Sequence, residues 1–328
     1  FGMHMTQTAG LALAADRATE ETRPKVVALL YVMNLVGMAF AAIIIGALLR
    51  DYSALRLVQV VQGTAVVTLL LNLIALWKQE KVKPMTKAQR EEASPTFRDA
   101  WKDLASGGDA GRLLAVVFIG TMAFNMQDVL LEPYGGEILG LSVSATTLLT
   151  AMWAGGALIG FGFAARWLAG GIDPYRMCAR GILAGILAFC AVIFSAPIGS
   201  PALFYLGAAL IGFGGGLFGV STLTAAMTMP TTGNAGRGLA LGAWGAAQAT
   251  GAGLSIFIGG TIRDLVNHAA GNGTLGEALA TPATGYSVVY HTEIGLLFLT
   301  LIVLGPLVRL RPITDGRSAK LGLADFPT

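Results

Sequence analysis

The chain has 328 residues, 54% of them hydrophobic and only 12% charged, with a mean hydropathy of +0.67. Soluble domains carry about 25% charged residues, so this composition excludes an ordinary soluble globule and points to a membrane protein. The net charge of +3 is small and no basic run is interleaved with aromatics, which speaks against a nucleic-acid partner, and the two cysteines, Cys178 and Cys190, lack the spacing of a disulfide framework or a zinc site.

The chain opens on FGMHMTQTAGLALAAD, which reads as the last turns of a helix entered partway. The numbering is therefore expected to begin inside a longer protein. A spanning helix needs about 20 mostly apolar residues. Segments 26–49, 54–77, 112–133, 143–167, 177–196, 201–228, 238–262 and 287–310 meet that need, and 1–14 is a partial further segment. Most of the connections between them are short; the two long ones are 78–111 and 263–286.

Basic residues set the expected orientation. The stretches 15–25, 78–112, 166–180, 229–237 and 309–328 hold 19 of the 22 Lys and Arg residues. Positive loops stay inside, so these stretches and the C-terminus are expected to be cytoplasmic. Four parts follow: residues 1–77 as the remainder of an N-terminal helical half, 78–111 as a cytoplasmic loop, 112–310 as a six-helix C-terminal half, and 311–328 as a cytoplasmic tail. Two six-helix halves joined by a long loop is the major facilitator plan. Within the loop, SPTFRDAWKDLA predicts a short helix, with Ser94 as N-cap and Pro95 at the first position. Phe97, Trp101 and Leu104 form one apolar stripe on it. That stripe suits either the membrane interface or packing on the cytoplasmic face.

The stretch NMQDVLLEPYGGEILG, residues 125–140, sets Asn125, Gln127, Asp128 and Glu132 at the end of an apolar run. On an uninterrupted helix Asn125, Asp128 and Glu132 share a face. Acids within a membrane are costly, by about 2.5–3.5 kcal/mol at the centre. Depth reckoning moves Asp128 beyond the midplane and Glu132 toward the interface, with Pro133 and YGG expected to loosen the helix. Two readings remain open: a polar cleft or partner contact, and a packed polar helix end.

Two glycine-rich spans follow. Gly156 with Gly160, and Gly212 with Gly215 and Gly219, have the small-residue spacing that lets helix backbones approach closely. GFGGG lies in an apolar run without a βαβ context, and no GxxxxGK[ST] occurs, so no nucleotide site is expected. The loop AGGIDPYRMCARG, 169–181, loosely resembles the loop motif of major facilitator proteins, in which an acid and arginines latch the cytoplasmic side. Asp173, Arg176 and Arg180 are the corresponding candidates, and positive-inside anchoring explains the arginines equally well.

His4 and His291 lie in apolar segments and His268 in a polar loop. Imidazole can ligate a metal, including the magnesium of a chlorin, although an intramembrane histidine more commonly serves as a hydrogen-bonding group. Glu293, two residues after His291, points to a different helix face, where it is expected as another buried polar group or near the interface. No GxSxG, no HExxH and no cysteine paired with a base occurs, so an enzyme is not expected, and no metal-ion site is proposed.

QDVLLEPYGGEILGLSVSATTLLTAMWAGGALIGF, residues 127–161, resembles the signature region of the PucC/LhaA family, the bacteriochlorophyll delivery family of the major facilitator superfamily. The similarity continues through TAGLALAADRATEETRPKVVALLYVMNLVGM, 8–38, and GFGGGLFGVSTLTAAM, 212–227. The resemblance implies a twelve-helix major facilitator fold in the inner, intracytoplasmic photosynthetic membrane, with the partial first segment as helix 4. It implies a role in photosynthesis, in assembly of light-harvesting complexes, as a carrier of bacteriochlorophyll or as a chaperone of antenna polypeptides. The implied partners are the light-harvesting α and β polypeptides, the reaction-centre core, bacteriochlorophyll synthase and membrane lipid. In that setting His291, His4 and Trp153 are candidate pigment ligands or donors, beside Asn125 and Gln127. The competing expectation on the same fold is a proton-coupled small-molecule transporter, since one fold hosts many functions.

Overall fold

The structure, a computed structural model, describes residues 21–49, 53–77, 96–106, 108–229 and 237–309, with scattered positions between 6 and 19. Most of the expected partial segment 1–14, with His4, lies outside the described residues, as do Ser94 and Pro95. Contacts divide the chain into two compact units, residues 32–96 and residues 1–31 with 97–328.

The smaller unit holds most of α1 (Arg23–Leu48) and all of α2 (Ala54–Leu76). Ser53 caps α2, its hydroxyl accepting from the Arg56 backbone N–H at 3.1 Å. No residue of α2 is buried, and Leu69, Leu71 and Ile74 are each at least 60% exposed. So apolar a surface suits lipid or other helices rather than water.

The larger unit begins with the α1 start and α3 (Phe97–Ser106), the short amphipathic helix expected from the sequence. There follow α4 (Asp109–Asn125), a 3-10 turn (Met126–Val129), α5 (Leu131–Glu137), α6 (Val143–Ala169), α7 (Pro174–Ile198), α8 (Pro201–Thr228), α9 (Arg237–Gly271), a 3-10 turn (Glu277–Leu279) and α10 (Ala283–Arg309). No strand occurs among the described residues. In lipid every backbone polar group must be satisfied within its own segment, which is why the chain resolves into helices.

Their ends are set locally. Ser142 and Ser200 cap α6 and α8 by accepting from Ala145 and Leu203 backbone N–H groups, each at 3.3 Å. Pro174 and Pro201 occupy first-turn positions where the missing N–H costs nothing. Gly199, at φ 64°, closes α7 in the left-handed region that a side chain would resist.

Seven described helical stretches are long and apolar enough to cross a membrane, so the chain is a multi-pass membrane protein. They correspond to the expected spans except 238–262. That segment is helical throughout as part of α9, but its Gly, Gln and Thr content lowers its hydropathy.

Helix α8 is the central post, packed on α6 and α7. Its contact with α6 is backbone to backbone: a Cβ on Gly156 would overlap the Ala209 carbonyl, and one on Gly212 would overlap that of Trp153. Gly214 meets α7 at Gly181. The close approaches thus run through Gly212, Gly214 and Gly216. They do not run through Gly215 or Gly219, which make ordinary contacts with Phe124 and Tyr31, because those two point away from both neighbouring backbones.

On the other side, α4 packs against α9 and α10, and α7 against α10. The buried stripe of α10 is Tyr286, Tyr290, Glu293, Leu297, Thr300, Leu304 and Leu307, at alternating spacings of four and three. That is the seam of a helix packed into a bundle. A glutamate sits in the middle of it.

Candidate functional site

Residues 125–140 do not form a single continuous helix. Helix α4 ends at Asn125, four residues wind as a 3-10 turn, and α5 resumes at Leu131. The break falls before Pro133, not after it. Pro133 is the third residue of α5, in the first turn, where an N–H has no intrahelical acceptor anyway. Gly135 and Gly136 remain helical. The expected loosening at Pro133 and YGG is therefore replaced by a tightened turn one step earlier. A 3-10 segment shifts the angular phase, so the spacing of Asn125, Asp128 and Glu132 no longer defines one α-helical face.

The break divides the polar residues between different neighbours. Gln127 is 2% exposed, and its Nε2 donates to Asp128 Oδ1 at 2.6 Å and to the Phe124 carbonyl at 3.3 Å. Asn125 is half-buried and Asp128 exposed. Glu132 turns to α6, where it accepts from Thr150 Oγ1 at 2.8 Å.

Opposite the break stands Glu293 of α10, fully buried, with neither carboxylate oxygen in a hydrogen bond. The Gln127 backbone N–H and the Asp128 carboxylate are its polar neighbours across the contact. It lies ten residues into α10, or about 15 Å at 1.5 Å per residue, close to mid-depth in a core of about 30 Å. The neighbouring Tyr290 hydroxyl is also buried without a partner. An ionisable group held unpaired at that depth is costly, and by default such a group marks a functional position.

From Glu293 an aromatic ladder leads toward the far rim. Tyr134 of α5 packs edge-on against Tyr290 and Tyr286, each at 5.4 Å between ring centroids. At the rim the Tyr286 hydroxyl donates to Glu137 Oε2 at 2.7 Å. The Arg263 guanidinium lies 4.8 Å over the Tyr286 ring and pairs with Glu137 at 3.1 Å. Asp264 takes its other nitrogen at 3.0 Å. This cluster ties α5, α9 and α10 together.

The remaining sequence candidates lie apart. Trp153 is half-buried on α6 with its carbonyl against Gly212. Asp173 caps α7, accepting from the Tyr175 and Arg176 backbone N–H groups at 2.8 and 3.1 Å. Arg176 is exposed, and the Arg180 guanidinium stacks over Trp167 at 5.6 Å. His291 is exposed on the side of α10 opposite Glu293, facing a separate groove, and His4 lies outside the described residues.

Sequence reasoning missed Glu137, Arg263, Tyr286 and Tyr290, and it did not place Glu293 at mid-depth. The signal was present in α10: the alternating four-three spacing from Tyr286 to Leu307 puts Glu293 on the buried seam.

Among the described residues, seven membrane-length helical stretches, the third of them broken and the last holding a buried acid at mid-depth, define a polytopic membrane protein. A bacterial homologue of the iron transporter ferroportin, solved in its outward-facing state, aligns with a TM-score of 0.59 at 18% identity, over 94% of this chain and 69% of that one. That likeness shows the fold, of the major facilitator type.

The chain belongs to the PUCC protein family, whose model matches residues 1–311. It is 61% identical, over its whole length and 69% of the relative, to a Rhodobacter capsulatus protein described as an uncharacterized protein in the puhA-bchM intergenic region. It is 49% identical to Protein PucC of Rhodovulum sulfidophilum, over 81% of this chain and 58% of that protein. It is 27% identical to the bacteriochlorophyll synthase 44.5 kDa chain of Rhodobacter capsulatus, over 100% of this chain and 72% of that one. The chain thus spans from 58% to 72% of the length of these relatives.

Proposed function

We propose that this protein assists assembly of bacterial light-harvesting complexes by holding bacteriochlorophyll, or the antenna polypeptides that take it up, within the membrane. The observation that carries the reading is the chemistry of two large grooves among the described residues of the larger unit. One, of about 800 Å³, lies beside α10; the other, of about 660 Å³, lies between α4 and α9 under Phe97 and Trp101 of α3. Among the described residues, neither wall contains an Asp, Glu, Lys or Arg. Both volumes fall in the range of about 300–1,000 Å³ that suits organic ligands. Walls without a formal charge suit a bulky, uncharged cargo better than an ionic solute. Membership of the PUCC family, and a relative named as a chain of bacteriochlorophyll synthase, support the same direction.

On this reading the protein is a carrier or chaperone, not an enzyme. It resides in the inner photosynthetic membrane with its C-terminus in the cytoplasm. Its partners are the antenna α and β polypeptides, the reaction-centre core and bacteriochlorophyll synthase.

A second reading, a proton-coupled transporter, draws on one specific observation: the buried, unpartnered Glu293 facing Asp128 beside a broken helix. Removal of the full-length gene from a phototrophic host separates the two. The assembly reading expects membranes that lose an antenna absorption band while pigment synthesis continues. Unchanged antenna bands, with loss of uptake of a small solute, would favour the transporter.

A further inference from the structure

Helix α10 carries a feature that the buried seam does not use. His291 is exposed, eight residues into α10, and lines the groove of about 800 Å³. Its Nδ1–H donates to the Ser287 carbonyl at 2.7 Å. A carbonyl oxygen can only accept, so the proton of the neutral ring sits on Nδ1. The lone pair is therefore on Nε2, for which no hydrogen bond occurs among the described residues. A ring nitrogen fixed by a backbone acceptor while the other stays bare is the arrangement of a metal-ligating histidine.

The three threonine hydroxyls of the groove are already engaged, and Ser287 Oγ lies 3.4 Å from His291 Nδ1. Thr284 Oγ1 donates to the Leu279 carbonyl and Thr292 Oγ1 to the Val288 carbonyl, both at 2.8 Å, and Thr281 pairs with Thr284 at 3.1 Å. His268 makes the useful contrast: its Nε2 meets Asn272 Nδ2 at 3.1 Å, so its lone pair is occupied.

A bare cation does not fit. Among the described residues no group of three or more His, Cys, Asp or Glu could hold one. A metal already held by a macrocycle needs only one axial donor, and the macrocycle itself needs apolar walls. The groove beside α10 offers the donor, and its walls set Val266, Leu275, Ala278, Leu279, Ala283 and Val288 beside four hydroxyl side chains, without a charged residue.

We propose that this groove receives a magnesium chlorin, with His291 Nε2 as the axial ligand of the magnesium. The proposal rests on the pigment-handling reading above and gives it a site.

The test compares bacteriochlorophyll a with its magnesium-free analogue on the full-length protein in detergent. The wild type is expected to bind the magnesium pigment at least about tenfold more tightly, the lower end of what lost metal-site contacts cost. His291→Leu removes that preference and shifts the ligand-sensitive visible band, but still binds the magnesium-free analogue, which shows that the variant is folded. His268→Leu keeps both preference and band. Should His291→Leu retain the preference, the ligand assignment is overturned and pigment handling stands. Should the wild type bind neither pigment, the pigment reading falls and this inference with it.

Discussion

Two faces of one helix divide the labour of α10. Tyr286, Tyr290 and Glu293 are each 0% exposed and sit in the seam of α10, which packs on α4, α7 and α9, with Tyr134 of α5 against both tyrosines. His291, between Tyr290 and Glu293 in sequence, is exposed in a groove with uncharged walls. The seam holds two polar groups without partners, Tyr290 and Glu293, in closely packed surroundings. The groove holds an imidazole whose one bond fixes its proton and leaves a lone pair outward. Titratable groups adjacent in sequence therefore have unrelated physics, because the helix turns them to different surroundings.

The sharpest way to break this contrast is to truncate neighbours. Tyr290→Ala empties a filled core position and should cost about 3–5 kcal/mol, as large aromatic deletions do. His291→Ala, one residue on, should change stability by no more than about 0.5 kcal/mol. Thermal unfolding of the two variants in detergent would show equal losses if α10 were oriented otherwise.

Glu293→Leu comes next. A buried polar group replaced by an apolar one of similar size is often neutral or stabilising by about 1–4 kcal/mol. The melting temperature should therefore hold or rise, while function falls if the acid is kept for use. A clear drop in melting temperature would mean that Glu293 has a partner that stabilises the fold.

Tyr286→Phe removes the hydroxyl that donates to Glu137 and receives from Arg263. Hydrogen bonds of this kind contribute about 0.5–1.5 kcal/mol each. A loss near 1 kcal/mol is expected, since Glu137 is half exposed and solvent screens the pair. The smallest effect belongs to Glu132→Gln, whose amide oxygen can still accept from Thr150. Its stability should stay within about 0.5 kcal/mol of wild type, and a larger loss would give Glu132 a structural role beyond that bond.

Much of the fold was legible because lipid makes it so. Long apolar runs have to be helices, and their lengths are fixed by the membrane, so the spans at 177–196 and 201–228 appear where the residues put them. Ser and Pro at helix starts, and glycines four apart on α6, report contacts within a few residues of themselves. The site was less legible because it depends on what lies across the bundle. The 3-10 turn at Met126–Val129 belongs to a chain packed against α9 and α10, and no local proline or glycine announces it. Glu137 and Arg263 are 126 residues apart, and their pairing becomes visible only once α5 and α9 meet. The seam of α10 is the intermediate case. Its spacing can be read from the sequence, but its depth and its lack of partners cannot.

The central claim is that the uncharged grooves of the larger unit are built for pigment. It is tested most directly by the absorption spectrum of the full-length protein purified from phototrophic cells and washed stringently in detergent. The account predicts a near-infrared bacteriochlorophyll band that persists through the wash in fixed proportion to protein. A colourless preparation that still captures antenna polypeptides would contradict it and leave a chaperone without pigment.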